Sequence, residues 1–352
     1  SLPASPSQGS VFTGWSNDWL FDVNEKDIRL INLRRFLAIL SVASGMFAVE
    51  VAFSLVPQNL LAFPASDRAP GEFPDKWIHG SKSAMDNQDP AVQVHRFNAH
   101  TYILRENKAI NYEGAFMYVF FGNGVALLID QGSTSSPALF PLRQTVDDLI
   151  VAWEEEFDQS GTQLIVANSH LHGDHYAAWN QFVDRPNTIM VGLTHEEVMD
   201  YWGFTSYPEQ RIEFNLGGRE FVVTGTPGHE SSEIAFYDKW TDLLYTGDMF
   251  YRGRLYLEDW DAWAASIKRL RALADDYPVS YLINNHIEMT DQATVDYPIG
   301  TTWQPDEPPM EMSLSMLDQA VRATENISQS GIYTFDDFLI YNEVPWAYTT
   351  DP

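Results

Sequence analysis

From Val92 onward, short apolar runs alternate with turn residues. Runs at 93–97, 101–104, 116–121 and 125–129 are separated by signals such as Gly122-Asn123-Gly124, the pattern of an antiparallel meander. The period then changes: Leu142, Val146, Leu149, Ile150 and Trp153 recur at helical spacing over 142–157 and leave an acidic outer face. A strand is predicted over 164–167, a helix over 176–182 with Asp174 at its N-cap, a strand over 188–191 and a helix over 195–202. A second series follows, with strands over 211–214, 220–224, 233–237 and 243–246, a helix over 260–273 and a strand over 279–283. Strands then helix, twice over, predict an α/β protein with two sheets face to face and helices outside, a four-layer αββα sandwich. Beyond residue 300 come a stiff Pro-rich loop, a helix over 313–327 and an aromatic segment over 333–346 that caps the core or lines a pocket.

The amino-terminal pattern is different. Residues 36–56 are apolar with one charge, Glu50, and follow Arg34-Arg35. Arg-Arg before an apolar stretch resembles a twin-arginine export signal, with Ala52-Phe53-Ser54 as a weak cleavage site. The same run is near the minimum length of a membrane anchor, and it also reads as a docked amphipathic helix with Glu50 turned outward. The expected organisation is an extension over 1–56, a linker over 57–90 anchored by Trp77 and Ile78, a catalytic domain over 91–300 and a carboxy-terminal extension over 301–352 packed on it. The expected location is exported or membrane-anchored, with a cytoplasmic location as the alternative. A membrane is a partner only on the anchor reading.

Composition narrows the partners. The net charge is -28, from 49 acidic against 21 basic residues. Phosphate backbones need a basic track, so nucleic acid is not an expected partner and a small-molecule substrate is. With no cysteine, disulfides, thiolate metal ligands and a cysteine nucleophile are excluded.

The chemistry concentrates in His170-Leu171-His172-Gly173-Asp174-His175, which holds three of the nine histidines. Three imidazoles and a carboxylate this close lose solvation together if buried, and a cation is the natural compensation. Three later candidates each follow a predicted strand: His229 in Thr226-Pro227-Gly228-His229, Asp248 in Tyr245-Thr246-Gly247-Asp248, and His286 in Ile283-Asn284-Asn285-His286. With Asp130 in Leu128-Ile129-Asp130-Gln131-Gly132, this set resembles the metallo-β-lactamase superfamily over roughly residues 92–290, in its glyoxalase II and lactonase-like branch. The resemblance implies a metallo-β-lactamase-like sandwich and two metals. His170, His172 and His229 would hold the first, Asp174, His175 and His286 the second, and Asp248 would bridge them. Asp130 would orient a ligand from behind. Nitrogen and oxygen donors suit two Zn2+, with Fe or Mn also compatible.

The expected reaction is attack of a metal-bridging hydroxide on a carbonyl ester, lactone or thioester. Asp174 would help orient the hydroxide. Tyr251, three residues after Asp248, matches a tyrosine that helps hold the substrate carbonyl in acyl-homoserine-lactone lactonases; its structural alternative is core filling beside Phe250 and Tyr256. Arg252 and Arg254 read either as carboxylate readers or as partners of nearby acids such as Glu258 and Asp259. His79, His95, His100 and His195 are expected to be structural. The chain departs from the family in Glu230-Ser231-Ser232-Glu233, where hydrolases often carry Thr-Pro-Gly-Ser, and this puts transfer of substrate specificity in doubt. The competing reactions are β-lactamase-type amide hydrolysis and the chemistry of a mononuclear iron persulfide dioxygenase.

Overall fold

A computed structural model describes residues 71–344. The apolar segment 36–56, with its export and anchor readings, lies outside the described residues. Among the described residues, no helix is long and apolar enough to cross a membrane.

Strands β1 (Val92–Asn98), β2 (Thr101–Glu106), β3 (Phe116–Gly122), β4 (Val125–Ile129), β5 (Gln163–Ala167) and β6 (Thr188–Met190) form the first sheet in chain order. Pairing is antiparallel as far as β4, and β5 and β6 then add parallel. The crossover between β4 and β5 carries helix α1 (Leu142–Glu156). Because side chains alternate along a strand, Ile103, Tyr118, Phe120, Leu127, Ile129 and Ile165 face the centre of the molecule. Their neighbours Leu104, Met117, Val119, Leu128 and Val166 face out and are covered by Leu142, Val146, Ile150 and Trp153 of α1. Both faces are buried, which is why these strands read as unbroken apolar runs.

Helices α2 (Gly173–Tyr176) and α3 (His195–Trp202) follow, then β7 (Arg211–Leu216), β8 (Arg219–Gly225), β9 (Ile234–Asp238), β10 (Leu243–Tyr245) and β11 (Arg254–Leu257). Helix α4 (Trp260–Asp276) leads to β12 (Tyr281–Ile283), which pairs parallel with β10 and completes a second sheet ordered β12-β10-β9-β8-β7. Its inner side chains, among them Phe221, Val223, Phe236 and Tyr245, meet those of the first sheet. Its outer ones, Val222, Ala235, Tyr237 and Leu244, pack under Trp263, Ile267 and Leu270 of α4 and Met316, Leu317 and Ala320 of α5 (Leu314–Asn326). This is the four-layer sandwich expected from the sequence. Trp77 is buried in the central core.

Three features differ from expectation. The helix predicted over 176–182 stops at Tyr176 and resumes only as a short 3-10 turn. Its amides are diverted: Ala177 donates to Gly132 and Ala178 to Gln131, so the loop after β4 competes with helical bonding. Asp174 is also not the N-cap; His172 holds that position and Asp174 lies inside the first turn. In addition, β11 leaves the sandwich and pairs parallel with β14 (Leu339–Asn342), which in turn pairs with β13 (Gly331–Thr334) in a small third sheet.

Candidate metal centre

Each predicted site residue lies just past the carboxyl end of a strand: Asp130 after β4, the hexamer after β5, His229 after β8, Asp248 after β10 and His286 after β12. Within each sheet these strands run in the same direction, because β4 is parallel to β5, β10 is parallel to β12, and β8 reaches β10 through the antiparallel β9. Their loops therefore share one edge of the sandwich. Gly228 has φ +145, and a Cβ there would come within 2.5 Å of the Trp263 backbone nitrogen. Only glycine lets the His229 loop lie that close to α4.

The structure brings the seven candidates together as two groups, His170 with His172 and His229, and Asp174 with His175, Asp248 and His286; within each group the donor atoms lie within 4.8 Å of one another. In the second group His175 Nε2 is 3.4 Å from Asp174 Oδ2, 3.4 Å from Asp248 Oδ2 and 3.4 Å from His286 Nε2. His286 Nε2 is 3.4 Å from Asp174 Oδ2 and 3.6 Å from Asp248 Oδ2. Ligands about 2.0–2.1 Å from a tetrahedral centre are roughly 3.3–3.4 Å apart, so this spacing fits one ion. In the first group His172 Nδ1 and His229 Nε2 are 2.9 Å apart. Two buried atoms have no hydrogen-bond partner, His170 Nε2 and Asp248 Oδ1. Orphaned donors in an all-nitrogen-and-oxygen cluster suit divalent metal ions.

The nitrogens turned away from the centre are occupied. His175 Nδ1 donates to Asp130 Oδ2 at 3.1 Å. His229 Nδ1 donates to the Tyr256 carbonyl at 2.7 Å, and His170 Nδ1 meets Ser169 Oγ at 3.0 Å. Asp130 is itself held by the Ser169 amide at 2.7 Å, Ser169 Oγ at 2.9 Å, Asn285 Nδ2 at 2.7 Å and the Tyr245 hydroxyl. Such outer bonds fix ring orientation and tautomer. Asp130 adopts φ 63, a left-handed conformation unusual for a residue other than glycine, and it does so under these many bonds.

The electrostatics match a cluster built around positive charge. Burial pushes the Asp174 carboxyl up, but His175 and His286 outweigh this and hold it well below the usual range. Asp248 is held at about 2: burial opposes this, and His286 and His175 overcome it. Burial lowers His286, but Asp248, Asp174 and Glu113 carry it to about 9. Burial and the neighbouring imidazoles of His175, His229 and His172 outweigh Asp174 and drive His170 well below its ordinary value.

Four acids surround the centre; the sequence named Glu233 only within a departure from the family pattern and did not single out Glu106, Glu113 or Glu288 as site residues. Glu233 is fully buried behind His170, accepts the Met249 amide at 2.7 Å and is pushed well up by burial and Asp248. Glu106 accepts the Ser133 amide at 2.8 Å, and burial raises its carboxyl to about 7. Glu113 offers its carbonyl to His286 Nδ1 at 3.4 Å. Glu288 is gripped by Arg254 at 2.7 Å. The available signal was an acid abutting an apolar run: Glu106 ends β2 and Glu233 precedes β9.

Tyr251 lines the cleft, with its ring centroid 5.8 Å from that of His286. Its hydroxyl donates to the Arg254 carbonyl at 2.6 Å and lies 3.2 Å from Glu288 Oε2. The two arginines do pair with acids, but not with Glu258 and Asp259. Arg252 pairs with Asp337, and Arg254 with Glu288 and Asp296.

Comparison with known proteins agrees with this architecture. The family model of the metallo-beta-lactamase superfamily matches residues 112–322, more than half of the chain. The chain belongs to that superfamily. A hydroxyacylglutathione hydrolase of Rhizobium meliloti is 28% identical over 145 residues, 39% of this chain and 56% of the relative. One from Methylococcus capsulatus is 29% identical over 155 residues, 43% of this chain and 58% of the relative. The chain thus spans a little over half the length of these curated relatives. Among solved structures, a metallo-beta-lactamase from Pontibacter korlensis is 15% identical with a TM-score of 0.44, covering 67% of this chain and 100% of its own.

Proposed function

We propose that this chain is a dinuclear metal-dependent hydrolase of a carbonyl ester, lactone or thioester. The observation that carries the reading is the place of Asp248. Its Oδ2 lies 3.4 Å from His175, 3.6 Å from His286 and 3.8 Å from His229, so it stands at a corner common to both donor groups. His170, His172 and His229 would hold one ion, Asp174, His175 and His286 the other, and Asp248 both. When bound, two divalent cations supply Lewis-acid polarisation of a carbonyl and lower the pKa of water toward neutrality.

The residues provide the rest. Asp174 is the most accessible member of its group, at 31% side-chain exposure, and its carboxyl is held well below the usual range, so as a carboxylate it can accept a hydrogen bond from the attacking water and aim it. His175, fixed by Asp130, and His229, fixed by the Tyr256 carbonyl, present one nitrogen each to the centre without rearrangement. Two relatives named for acylglutathione hydrolysis support including thioesters in the substrate range.

Metal titration into chelator-stripped protein, with turnover of thioester, lactone, aryl ester and cephalosporin panels, tests the reading. The expected result is two metals per chain and chelator-sensitive cleavage of at least one of the first three classes. Cleavage of the cephalosporin alone would move the assignment to amide hydrolysis. One iron per chain with sulfur oxidation and no hydrolysis would overturn it in favour of a dioxygenase.

A further inference from the structure

The cleft over the metal centre opens two ways. One lobe, about 280 Å3, is bordered by Tyr112, Glu113, Tyr251, Arg254 and Glu288. The other, about 450 Å3, continues past His172 and His229 to Tyr256, Glu258 and Glu343. Besides the metal-ligand candidates, each lobe therefore carries two carboxylates, with Tyr112 and Tyr251 in the first and Tyr256 bordering both.

Among the described residues lining these lobes, Arg254 is the one side-chain cation besides the histidines assigned to the metals. Its terminal nitrogens are already engaged, by Glu288 Oε1 at 2.7 Å, Asp296 Oδ2 at 2.7 Å and the Tyr297 carbonyl at 2.7 Å. Away from the metal ligands, Glu113 and Glu288 thus outweigh one guanidinium, and no lining arginine or lysine is left free for a ligand. The cation beneath the Tyr112-Glu113 wall, Lys108, is sealed: its side chain is 1% exposed and its Nζ donates to the carbonyls of both wall residues, at 3.0 and 3.2 Å. Arg252 is paired with Asp337. The net charge of -28 adds a repulsive field at long range.

We infer, resting on the hydrolase reading above, that the cleft selects substrates whose groups flanking the scissile carbonyl are uncharged or cationic and rejects anionic ones. A substrate carboxylate in either lobe, away from the metals, meets Glu113 and Glu288, or Glu258 and Glu343, without a free arginine or lysine to pair with. Charge repulsion over a few ångströms in a partly screened site is worth on the order of tenfold in kcat/KM. An alkylammonium finds carboxylates there instead.

The test uses metal-loaded protein and three thioacetates of similar size: acetylthiocholine, its neutral carbon isostere, and S-acetyl mercaptopropanesulfonate. Each kcat/KM is divided by the rate of hydroxide hydrolysis to remove leaving-group effects. The cationic and neutral members are expected to exceed the anionic one by about tenfold or more at low ionic strength, with the gap narrowing as salt is added. Glu113→Gln and Glu343→Gln are each expected to raise the anionic-to-neutral ratio about threefold or more. The three corresponding amides, with binding measured by calorimetry, report the same order without turnover. Binding that keeps the order while none of the thioester, lactone and aryl ester panels is cleaved would remove the hydrolase reading and leave the charge selectivity standing. An anionic member that equals or beats the neutral one in either assay overturns this inference.

Discussion

Asp130 and His175 meet through one bond, Oδ2 to Nδ1 at 3.1 Å, and that bond turns His175 Nε2 toward Asp174, Asp248 and His286. Asp130 touches none of the other six donors; it works through the ring it holds. Asp130→Asn presents the same shape but half the acceptor capacity to Ser169, Asn285, Tyr245 and His175. Metal affinity is expected to fall about tenfold to a hundredfold, read by competition with a chromophoric chelator. Unchanged affinity would mean that the ring is positioned by packing alone.

Metal binding is expected to release protons. In the metal-free cluster the carboxylates raise His286 to about 9 and His175 well above its ordinary value, so both carry a proton at pH 7. Ligation needs the neutral ring. Apparent affinity should therefore rise from pH 6 toward pH 9 and level off beyond. Calorimetry in buffers of different ionisation enthalpy measures the count directly, and zero net release at pH 7 would contradict these protonation states.

Glu106 gives a separate pH effect. Its folded-state pKa of about 7 lies above the ordinary 4.5, chiefly through burial. Below 4.5 it is protonated in both folded and unfolded chains; between 4.5 and 7 only the folded chain holds the proton, so its contribution to stability falls as pH rises. The loss is of the order of 3 kcal/mol and is complete a little above pH 7. Glu106→Gln, which keeps an acceptor for the Ser133 amide, is expected to be more stable than the parent at pH 8 and to show a flatter Tm profile between pH 5 and 8. Parallel profiles for the two proteins would rule this out.

The Tyr251 hydroxyl has one proton and two acceptors in reach, Glu288 Oε2 at 3.2 Å and, nearer, the Arg254 carbonyl at 2.6 Å. To hold a substrate carbonyl, the hydroxyl would have to exchange that partner. Tyr251→Phe is therefore expected to leave kcat/KM within about threefold of the parent on every cleaved substrate. A loss of a hundredfold or more, with metal content and Tm unchanged, would restore the carbonyl-holding role expected from the sequence.

Much of this was legible in the chain because it is locally encoded. The apolar alternation of 101–104 and 116–121 and the helical spacing from Leu142 to Trp153 give the sheets and α1. The hexamer 170–175 is contiguous, and His229, Asp248 and His286 each follow a recognisable strand. What was not legible depends on partners distant in sequence. The pairing of Arg254–Leu257 with Leu339–Asn342 joins two short segments across more than eighty positions. Arg254 finds Glu288 and Asp296 rather than the adjacent Glu258 and Asp259, because β11 carries it away from that turn. The break after Tyr176 arises from carbonyls of Gln131 and Gly132, which no local propensity records.

The ion pair of Glu307 with Arg105, at 2.6 Å, and its approach to Lys108, at 3.7 Å, have a practical consequence. A fragment trimmed at residue 300 would strand two interior cations and unroof the loop that buttresses His286. Expression of the motif-bearing segment alone should yield material that is insoluble or unable to retain metal, while a chain kept through Asn342 should do neither.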